Sequence, residues 1–302
     1  MTAPWIGGRM TTPLDLGTFP TPLESAPRLA AALGLDQLWI KRDDLIGLGG
    51  GGNKARKLRF IGAEALAAGA TTLITVGAPQ SNHARATAAA AARLGLACVL
   101  VLSGHARTRP TGNLLLDTLA GAEIIWSGDR PAADVAAEEA AIRRNSFLIP
   151  LGGSSPTGVR AYAECAAELT QQAEFDRVVV ALGSGATMAG LVAGLGAERV
   201  LGVDTGAVPD PDATVRALLP SDPGKLLIDQ DQVGPGYATV TDPVRAALSL
   251  AARTEGLFLD PIYTGRAMAA LAATATPGSR VVFLHSGGLP GLFGVDQPVL
   301  SA

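Results

Sequence analysis

The sequence predicts an α/β protein in which two successive strand–helix series form parallel sheets. Short runs of branched aliphatic residues alternate with alanine-rich segments of helical length over residues 72–150, and a second alternation covers residues 158–284. Strands that alternate with helices in this way form right-handed βαβ units and lie parallel. Between the two series, Gly152-Gly153-Ser154-Ser155-Pro156 has no large side chain for packing, which is typical of a domain junction.

The first half of the chain begins as an extended arm, because Pro13, Pro20 and Pro22 disfavour helix over residues 12–25. A helix is expected over 27–33, and the charged residues 41–44 (Lys-Arg-Asp-Asp) are expected to form a solvated turn. The other elements predicted for this half are a strand over 38–40, a helix from residue 53, and then strands and helices in alternation over 72–76, 81–94, 97–102, 113–120, 123–126, 132–144 and 147–150.

The second half repeats the alternation and then becomes less regular. Residues 206–224 are rich in Pro, Asp and Gly and are expected to form a loop. The predicted elements are a helix over 158–171, a strand over 177–182, a helix ending at 195, a strand over 200–203, helices over 243–253 and 264–273, and a strand over 281–284. Ligands gather at the carboxyl ends of parallel strands, so the loops after residues 76, 182 and 284 are candidate site segments.

Composition and charge exclude several kinds of partner. The chain has 302 residues and a net charge of −3 with no basic block, so neither nucleic acid nor a membrane surface is expected as a partner. The apolar run over 94–102 is too short to span a membrane. The first five residues show no secretory leader, and Cys98 and Cys165 have no paired spacing, so we expect a cytoplasmic protein. No metal-ligand spacing is visible, and no metal is expected.

A glycine-rich loop before a helix is the first candidate site. Residues 49–52 are four consecutive glycines, and Asn53, Lys54 and Lys57 follow directly. Consecutive glycines suit a close approach of bare backbone, and a helix start attracts anions. In a helix from residue 53, the two lysines lie one turn apart, so one amine could bond a carbonyl covalently while the other holds an anion. A surface loop with two solvated lysines is the alternative.

Residues 183–187 (Gly183, Ser184, Gly185, Ala186 and Thr187) have the pattern of a phosphate cradle. They follow a predicted strand and precede a helix, where backbone N–H groups can hold a phosphate. Met188 stands where a dinucleotide fingerprint needs its third glycine, but Asp204 lies at the distance of a ribose-binding acid. A nicotinamide-dependent oxidoreductase and a tight turn without a ligand are therefore alternatives.

Polar residues also follow the strand over 72–76. Ser81, Asn82 and His83 open the next helix, where Ser81 and Asn82 are good capping residues and could equally serve only as caps. A lysine beside a glycine loop, a phosphate cradle and polar groups at strand ends together are what a pyridoxal phosphate enzyme requires. A two-lobed small-molecule binding protein would explain the layout but not the lysine.

Specific motifs then resemble one enzyme family. Gly52-Asn53-Lys54-Ala55-Arg56-Lys57-Leu58 resembles the G-N-K-x-R-K-L motif of the pyridoxal-phosphate family that contains D-cysteine desulfhydrase and 1-aminocyclopropane-1-carboxylate deaminase. Seven further segments match in the family's order, at residues 21–23, 39–44, 80–83, 183–187, 234–237, 259–265 and 285–293. The resemblance implies the tryptophan-synthase-β-like fold (fold type II), with two three-layer αβα domains and mostly parallel sheets. Residues 1–53 and 156–302 would form a larger, cofactor-anchoring domain, and residues 54–155 a smaller, mobile one.

The resemblance also implies a role for each motif residue. Lys54 would carry pyridoxal 5′-phosphate as an internal aldimine and take the α-proton, and Lys57 would reach the phosphate held by residues 183–187. Asn82 would face the ring hydroxyl oxygen, His83 would lie beside the ring, Ser81 would contact the substrate carboxylate, and Tyr237 and Tyr263 would line the substrate pocket. A homodimer is expected by analogy with relatives of this fold.

Thr264 favours desulfhydrase over deaminase. In the family pattern the deaminases carry glutamate here, close to the pyridine nitrogen, whereas the desulfhydrases carry threonine. A neutral hydroxyl leaves that nitrogen largely unprotonated, which gives the weaker electron sink that β-elimination tolerates and cyclopropane opening does not. We therefore expect a small amino-acid substrate with a β-leaving group, D-cysteine first. Ser286, Val295 and the short 205–233 region depart from the pattern and leave cysteate, 1-aminocyclopropane-1-carboxylate and the enantiomer open.

Overall fold

The computed structural model describes residues 12–107 and 109–294; Val295 and both chain ends lie outside this part. In this part the chain forms two sheets flanked by helices. The strands are β1 (Leu23–Ser25), β2 (Gln37–Lys41), β3 (Thr72–Gly77), β4 (Ala97–Leu102), β5 (Glu123–Trp126), β6 (Ser146–Ile149), β7 (Arg177–Leu182), β8 (Val200–Asp204), β9 (Leu227–Asp229) and β10 (Arg280–Leu284). The helices are α1 (Pro27–Leu33), α2 (Asn53–Ala67), α3 (Asn82–Leu94), α4 (Gly112–Leu119), α5 (Ala132–Ile142), α6 (Pro156–Gln172), α7 (Ala186–Leu195), α8 (Pro211–Arg216), α9 (Asp242–Glu255), α10 (Thr264–Thr274) and α11 (Leu289–Leu292).

The larger sheet has six strands in the order β1-β2-β10-β7-β8-β9. β1 pairs antiparallel with β2, and the other neighbours pair parallel. One apolar cluster fills the face covered by α1, α9 and α10, and a second fills the face covered by α6 and α7. Helices therefore cover both faces, because parallel strands bury both of their sides.

The smaller sheet has four parallel strands in the order β5-β4-β3-β6. Helices α2 and α3 supply the apolar cluster on one face, and α5 supplies a smaller cluster on the other. All four strands fall between residues 72 and 149, within the predicted smaller domain. The exact domain boundaries stay a prediction.

The predicted alternation of strands and helices is present, and the differences lie in short elements. The region expected to be a loop contains α8, and β9 follows it. The arm contributes β1 to the larger sheet. The three-residue strands β1 and β9 and the six-residue helix α8, which is shorter than two turns, carry too few side chains to show a periodicity. Among the described helices, none combines the length and apolar character needed to span a membrane.

The charged segment 41–44 is not the solvated turn that the sequence indicates. Lys41 and Asp43 are fully buried. Lys41 ends β2 and pairs with Glu168 at 2.7 Å, and Asp43 forms a bidentate pair with Arg56. Only Arg42 and Asp44 keep partial exposure. The prediction was wrong because the partners that make burial tolerable come from distant parts of the chain.

Candidate active site

A cavity of about 510 Å³ is lined by segments that follow strands of both sheets. It sits at the carboxyl ends of parallel strands, because Gly77 ends β3, Gly183 follows β7 and Ser286 follows β10. Most predicted site residues line it, and they come from both halves of the chain: Lys54, Lys57, Ser81, Asn82, His83, Gly183, Ser184, Gly185, Thr187, Tyr237 and Tyr263. Ala186 and Thr264 are the two predicted residues that do not line it.

The glycine loop brings the two lysines to the cavity. Gly51 and Gly52 have φ of 70° and 107°, and a side chain on Gly51 would meet the Asp44 carbonyl oxygen at 1.8 Å, so only glycine fits there. Helix α2 begins one residue later and places Lys54 and Lys57 one turn apart. The Lys57 amine donates to the Gly152 carbonyl at 3.2 Å.

The cavity is a site of excess positive charge. Lys54 is half-buried, and its amine makes no hydrogen bond or ion pair with any described residue. Burial lowers its pKa to about 8. Burial, and then repulsion by Lys54, hold the pKa of Lys57 well below its usual value. No carboxylate stands among the described lining residues, so the site calls for an anionic ligand.

Next to these amines lies a cradle suited to a phosphate. Helix α7 begins after Gly185, whose φ is 90°, and no side chain caps its N-terminus. The Ser184 hydroxyl lies beside it and accepts a hydrogen bond from Ser154 at 2.8 Å. A side chain on Gly152 would meet the Ser184 oxygen at 1.9 Å, so this wall is built from bare backbone. Free N–H groups, a hydroxyl and Lys57 together form an anion site.

The dinucleotide alternative has no support in this geometry. Asp204 lies outside the cavity lining, and its Oδ1 accepts from the Gly206 N–H at 2.8 Å. Asp204, the residue at the spacing of a ribose-binding acid, therefore stabilises a turn after β8. Met188 lines the cavity where the fingerprint would have glycine.

The start of α3 supplies polar groups to the same cavity. Ser81 does cap the helix, with its Oγ accepting from the Ala84 N–H at 3.1 Å, and it also lines the cavity. The Thr75 hydroxyl donates its one hydrogen to the Ile149 carbonyl at 2.9 Å. In its second bond, at 3.0 Å, it must therefore accept from His83, whose Nε2 carries the proton. Burial, Lys54 and Lys57 lower the pKa of His83, so the ring is neutral. Asn82 is held by Asn113, at 2.9 Å.

Two tyrosines form the opposite wall. The hydroxyls of Tyr237 and Tyr263 are hydrogen-bonded to each other, with the rings at 73°. Burial, and then Tyr237, hold the pKa of Tyr263 well above its usual value, so both phenols are protonated at neutral pH. Arg266 is fully buried and donates to the carbonyls of Thr205, Gly236, Tyr237 and Thr239, which fixes the Tyr237 loop against α10.

Thr264 lies outside the cavity lining, and its predicted place near the ring nitrogen of the cofactor stays a prediction. Its hydroxyl is buried beside the Asp260 carboxylate at 2.7 Å and accepts from the Asp260 N–H at 2.8 Å. Asp260 also accepts from the N–H groups of Ile262 and Tyr263, so the pair caps α10. Thr264 is not among the residues that line the cavity, whereas Ser286 is.

Several supporting residues were given no role on the basis of the sequence. Asn53 links the lysine helix to the phosphate cradle through a bond from its Nδ2 to Thr187 Oγ1 at 3.1 Å. Asn113 and Arg266 act through backbone groups and other side chains. Only the position of Asn53 inside a motif could have drawn attention to it.

The comparisons with known proteins agree on one family. The sequence model of pyridoxal-phosphate dependent enzymes matches residues 14–287. A D-cysteine desulfhydrase from Klebsiella pneumoniae subsp. pneumoniae is 40% identical, with 93% of this chain and 95% of the relative covered. A putative 1-aminocyclopropane-1-carboxylate deaminase from Pyrococcus abyssi is 38% identical, with 93% and 92% covered. A crystal structure of an ACC deaminase homologue superposes with a TM-score of 0.85 at 35% identity, over 95% of this chain and 94% of that one.

Proposed function

The chain belongs to the family of pyridoxal-phosphate dependent enzymes, and we propose that it catalyses an α,β-elimination on D-cysteine. The products would be pyruvate, hydrogen sulfide and ammonia. The predicted cofactor, lyase class and fold type II architecture are confirmed by the family match and the relatives. The substrate and the roles of individual residues belong to the proposal, as do a homodimer and a cytoplasmic location.

The residues present fit pyridoxal phosphate. The observation that carries the proposal is the pairing of two amines in one carboxylate-free cavity with an uncapped helix N-terminus. Lys54 would hold the cofactor covalently, and Lys57, Ser184 and the start of α7 would hold its phosphate. Asn82 would face its ring oxygen, with His83 beside the ring. When bound, the cofactor supplies an aldehyde for the substrate amine and a ring that takes up negative charge from Cα.

The lining side chains suit proton removal at Cα. A Lys54 pKa of about 8 leaves a useful fraction of the amine neutral near neutral pH, as a base requires. Ser81 and the N-terminus of α3 would orient the substrate carboxylate. The Tyr237–Tyr263 pair, protonated and hydrogen-bonded, would deliver a proton to the departing sulfur.

Elimination suits this cavity better than opening of a cyclopropane. No carboxylate lines the described cavity, so no acid is available to keep the pyridine nitrogen protonated. A ring nitrogen without such an acid is the weaker electron sink, which β-elimination tolerates.

A deaminase acting on 1-aminocyclopropane-1-carboxylate is the second candidate. It is favoured by the Pyrococcus abyssi relative and by the crystal structure of an ACC deaminase homologue. A product screen separates the candidates: D- and L-cysteine, β-chloroalanine and cysteate would give pyruvate, whereas 1-aminocyclopropane-1-carboxylate would give 2-oxobutyrate. We expect D-cysteine to be turned over fastest and Lys54→Ala to be inactive. Faster release of 2-oxobutyrate would replace the proposal by the second candidate.

A further inference from the structure

A chain of hydrogen-bonded side-chain amides leads from a loop to the cavity. Asn113, at the start of α4, is fully buried. Its backbone N–H donates to Gln80 Oε1 at 2.8 Å, and its side-chain Nδ2 donates to the Gln80 carbonyl at 3.0 Å and to Asn82 Oδ1 at 2.9 Å. Gln80 Nε2 in turn donates to the Thr111 carbonyl at 2.9 Å.

Backbone groups fix the direction of every bond in this chain. A backbone carbonyl only accepts, so the Asn113 group that faces the Gln80 carbonyl must be its NH2. The same NH2 contacts the Asn82 amide, which must therefore present its oxygen to Asn113. Turning the Asn113 amide over would place its oxygen against the Gln80 carbonyl, which cannot donate.

The consequence appears at the cavity. With its oxygen occupied by Asn113, Asn82 has only its NH2 left, and that group donates to no described residue while Asn82 lines the cavity. We propose that Asn113 is a positioning residue that locks Asn82 as a hydrogen-bond donor toward the ring oxygen of the cofactor. This inference rests on the proposed placement of the cofactor beside Asn82.

An asparagine amide without such a lock could face the ring oxygen with either end. Its NH2 would stabilise a negatively charged ring oxygen, and its own oxygen would demand a proton on that atom. Asn113 thus controls the protonation of the bound cofactor without touching it. The role requires a side chain that donates, so an aspartate of the same shape should reverse it.

The experiment compares Asn113→Asp and Asn113→Ala with wild type. Aspartate accepts only, so it should turn the Asn82 amide over and present its oxygen to the cofactor. Alanine removes the hydrogen bond to Asn82, so that the Asn82 amide can take either orientation. We measure the absorption spectrum of the bound cofactor from pH 6 to 10, cofactor affinity, and thermal stability without cofactor. Thr118→Ala is the matched control, because Thr118 lies on α4 and bonds only the Leu114 carbonyl of its own helix.

Loss of the donor should move the spectral titration midpoint by about one pH unit and weaken cofactor binding by roughly tenfold in Asn113→Asp. The shift should be smaller in Asn113→Ala and absent in Thr118→Ala. In an Asn82→Ala background, Asn113→Asp should add no further spectral shift, because the group through which it acts is gone. If Asn113→Asp does not fold, the alanine variant and its cycle with Asn82→Ala carry the test.

Wild-type spectra in both Asn113 variants, with only reduced thermal stability, would overturn the inference while leaving the proposed function intact. An additional shift of similar size in the Asn82→Ala background would also overturn it. Wild-type protein that binds no pyridoxal phosphate would instead overturn the proposed function, and the inference with it.

Discussion

Two adjacent aspartates, Asp43 and Asp44, each pair with an arginine. Comparing them tests how burial changes the contribution of an ion pair to the free energy of unfolding. Asp43 is fully buried and accepts from Arg56 Nε at 3.0 Å, Arg56 Nη2 at 2.8 Å, Tyr162 at 2.5 Å and Thr21 at 2.9 Å. Asp44 pairs with Arg42 at 2.9 and 2.8 Å, but both side chains keep partial exposure. The geometry of the two pairs is similar, and burial differs.

Asp43→Asn should lower the free energy of unfolding by about 3 kcal/mol. This is at the lower end of the range for a broken buried ion pair, because Arg56 would still pair with Glu168 at 2.7 Å. The NH2 group of an asparagine would also face side chains that themselves donate to Asp43 in the wild type, such as Arg56 and Tyr162. Asp44→Asn should cost less than about 1 kcal/mol. Equilibrium urea unfolding followed by circular dichroism measures both variants against wild type. Equal losses, within about 0.5 kcal/mol, would refute the argument from burial.

The pH dependence of this difference follows from the pKa of Asp43. Burial raises that pKa, but Arg56, Tyr162 and Thr21 outweigh burial and hold it below its usual value. A group with a lowered folded-state pKa stabilises above its unfolded-state pKa and loses that contribution in acid. The deficit of Asp43→Asn should therefore stay constant from pH 8 down to about 4 and shrink below it.

Three further predictions concern the cavity. Lys57→Met should weaken cofactor binding by roughly tenfold to a hundredfold, measured by equilibrium dialysis. It should not lower the stability of the cofactor-free protein, since the Lys57 amine is buried where its charged form is disfavoured. Tyr263→Phe should lower turnover of D-cysteine by about a hundredfold while the cofactor spectrum stays unchanged; an altered spectrum would contradict a role confined to the substrate. With a Lys54 pKa of about 8, the rate of cofactor uptake should rise roughly tenfold from pH 7 to 9 and level off, whereas an ordinary lysine would give a roughly hundredfold rise.

Much of the fold could be predicted because strands and helices of ordinary length carry periodic patterns. The runs at β3, β7 and β10 are branched and bounded by glycine or small residues, and such signals are local. β1 and β9 have three residues each and carry no pattern. The burial of Asp43 was missed because its partners lie 13 and 119 residues away, at Arg56 and Tyr162.

In the candidate site, too, residues in local motifs could be predicted, whereas residues that act through distant contacts could not. Lys54, Lys57 and Asn82 were predicted as site residues because they match motifs of the family that the sequence resembles. All three line one cavity. Asn113 and Arg266 were missed, since each works through hydrogen bonds to backbone carbonyls that only the folded chain brings within reach. Asparagine and arginine in predicted helices are ordinarily solvated, so composition gives no signal for either.

The proposed function depends first on Lys54 being the residue to which the cofactor is attached. The most direct measurement is borohydride reduction of the purified protein with pyridoxal phosphate, followed by proteolysis and mass mapping of the labelled peptide. The yellow protein should lose its colour and the added mass should map to Lys54 alone, with no label in Lys54→Ala. A label on Lys57, or a colourless protein that takes up no label from added pyridoxal phosphate, would contradict it.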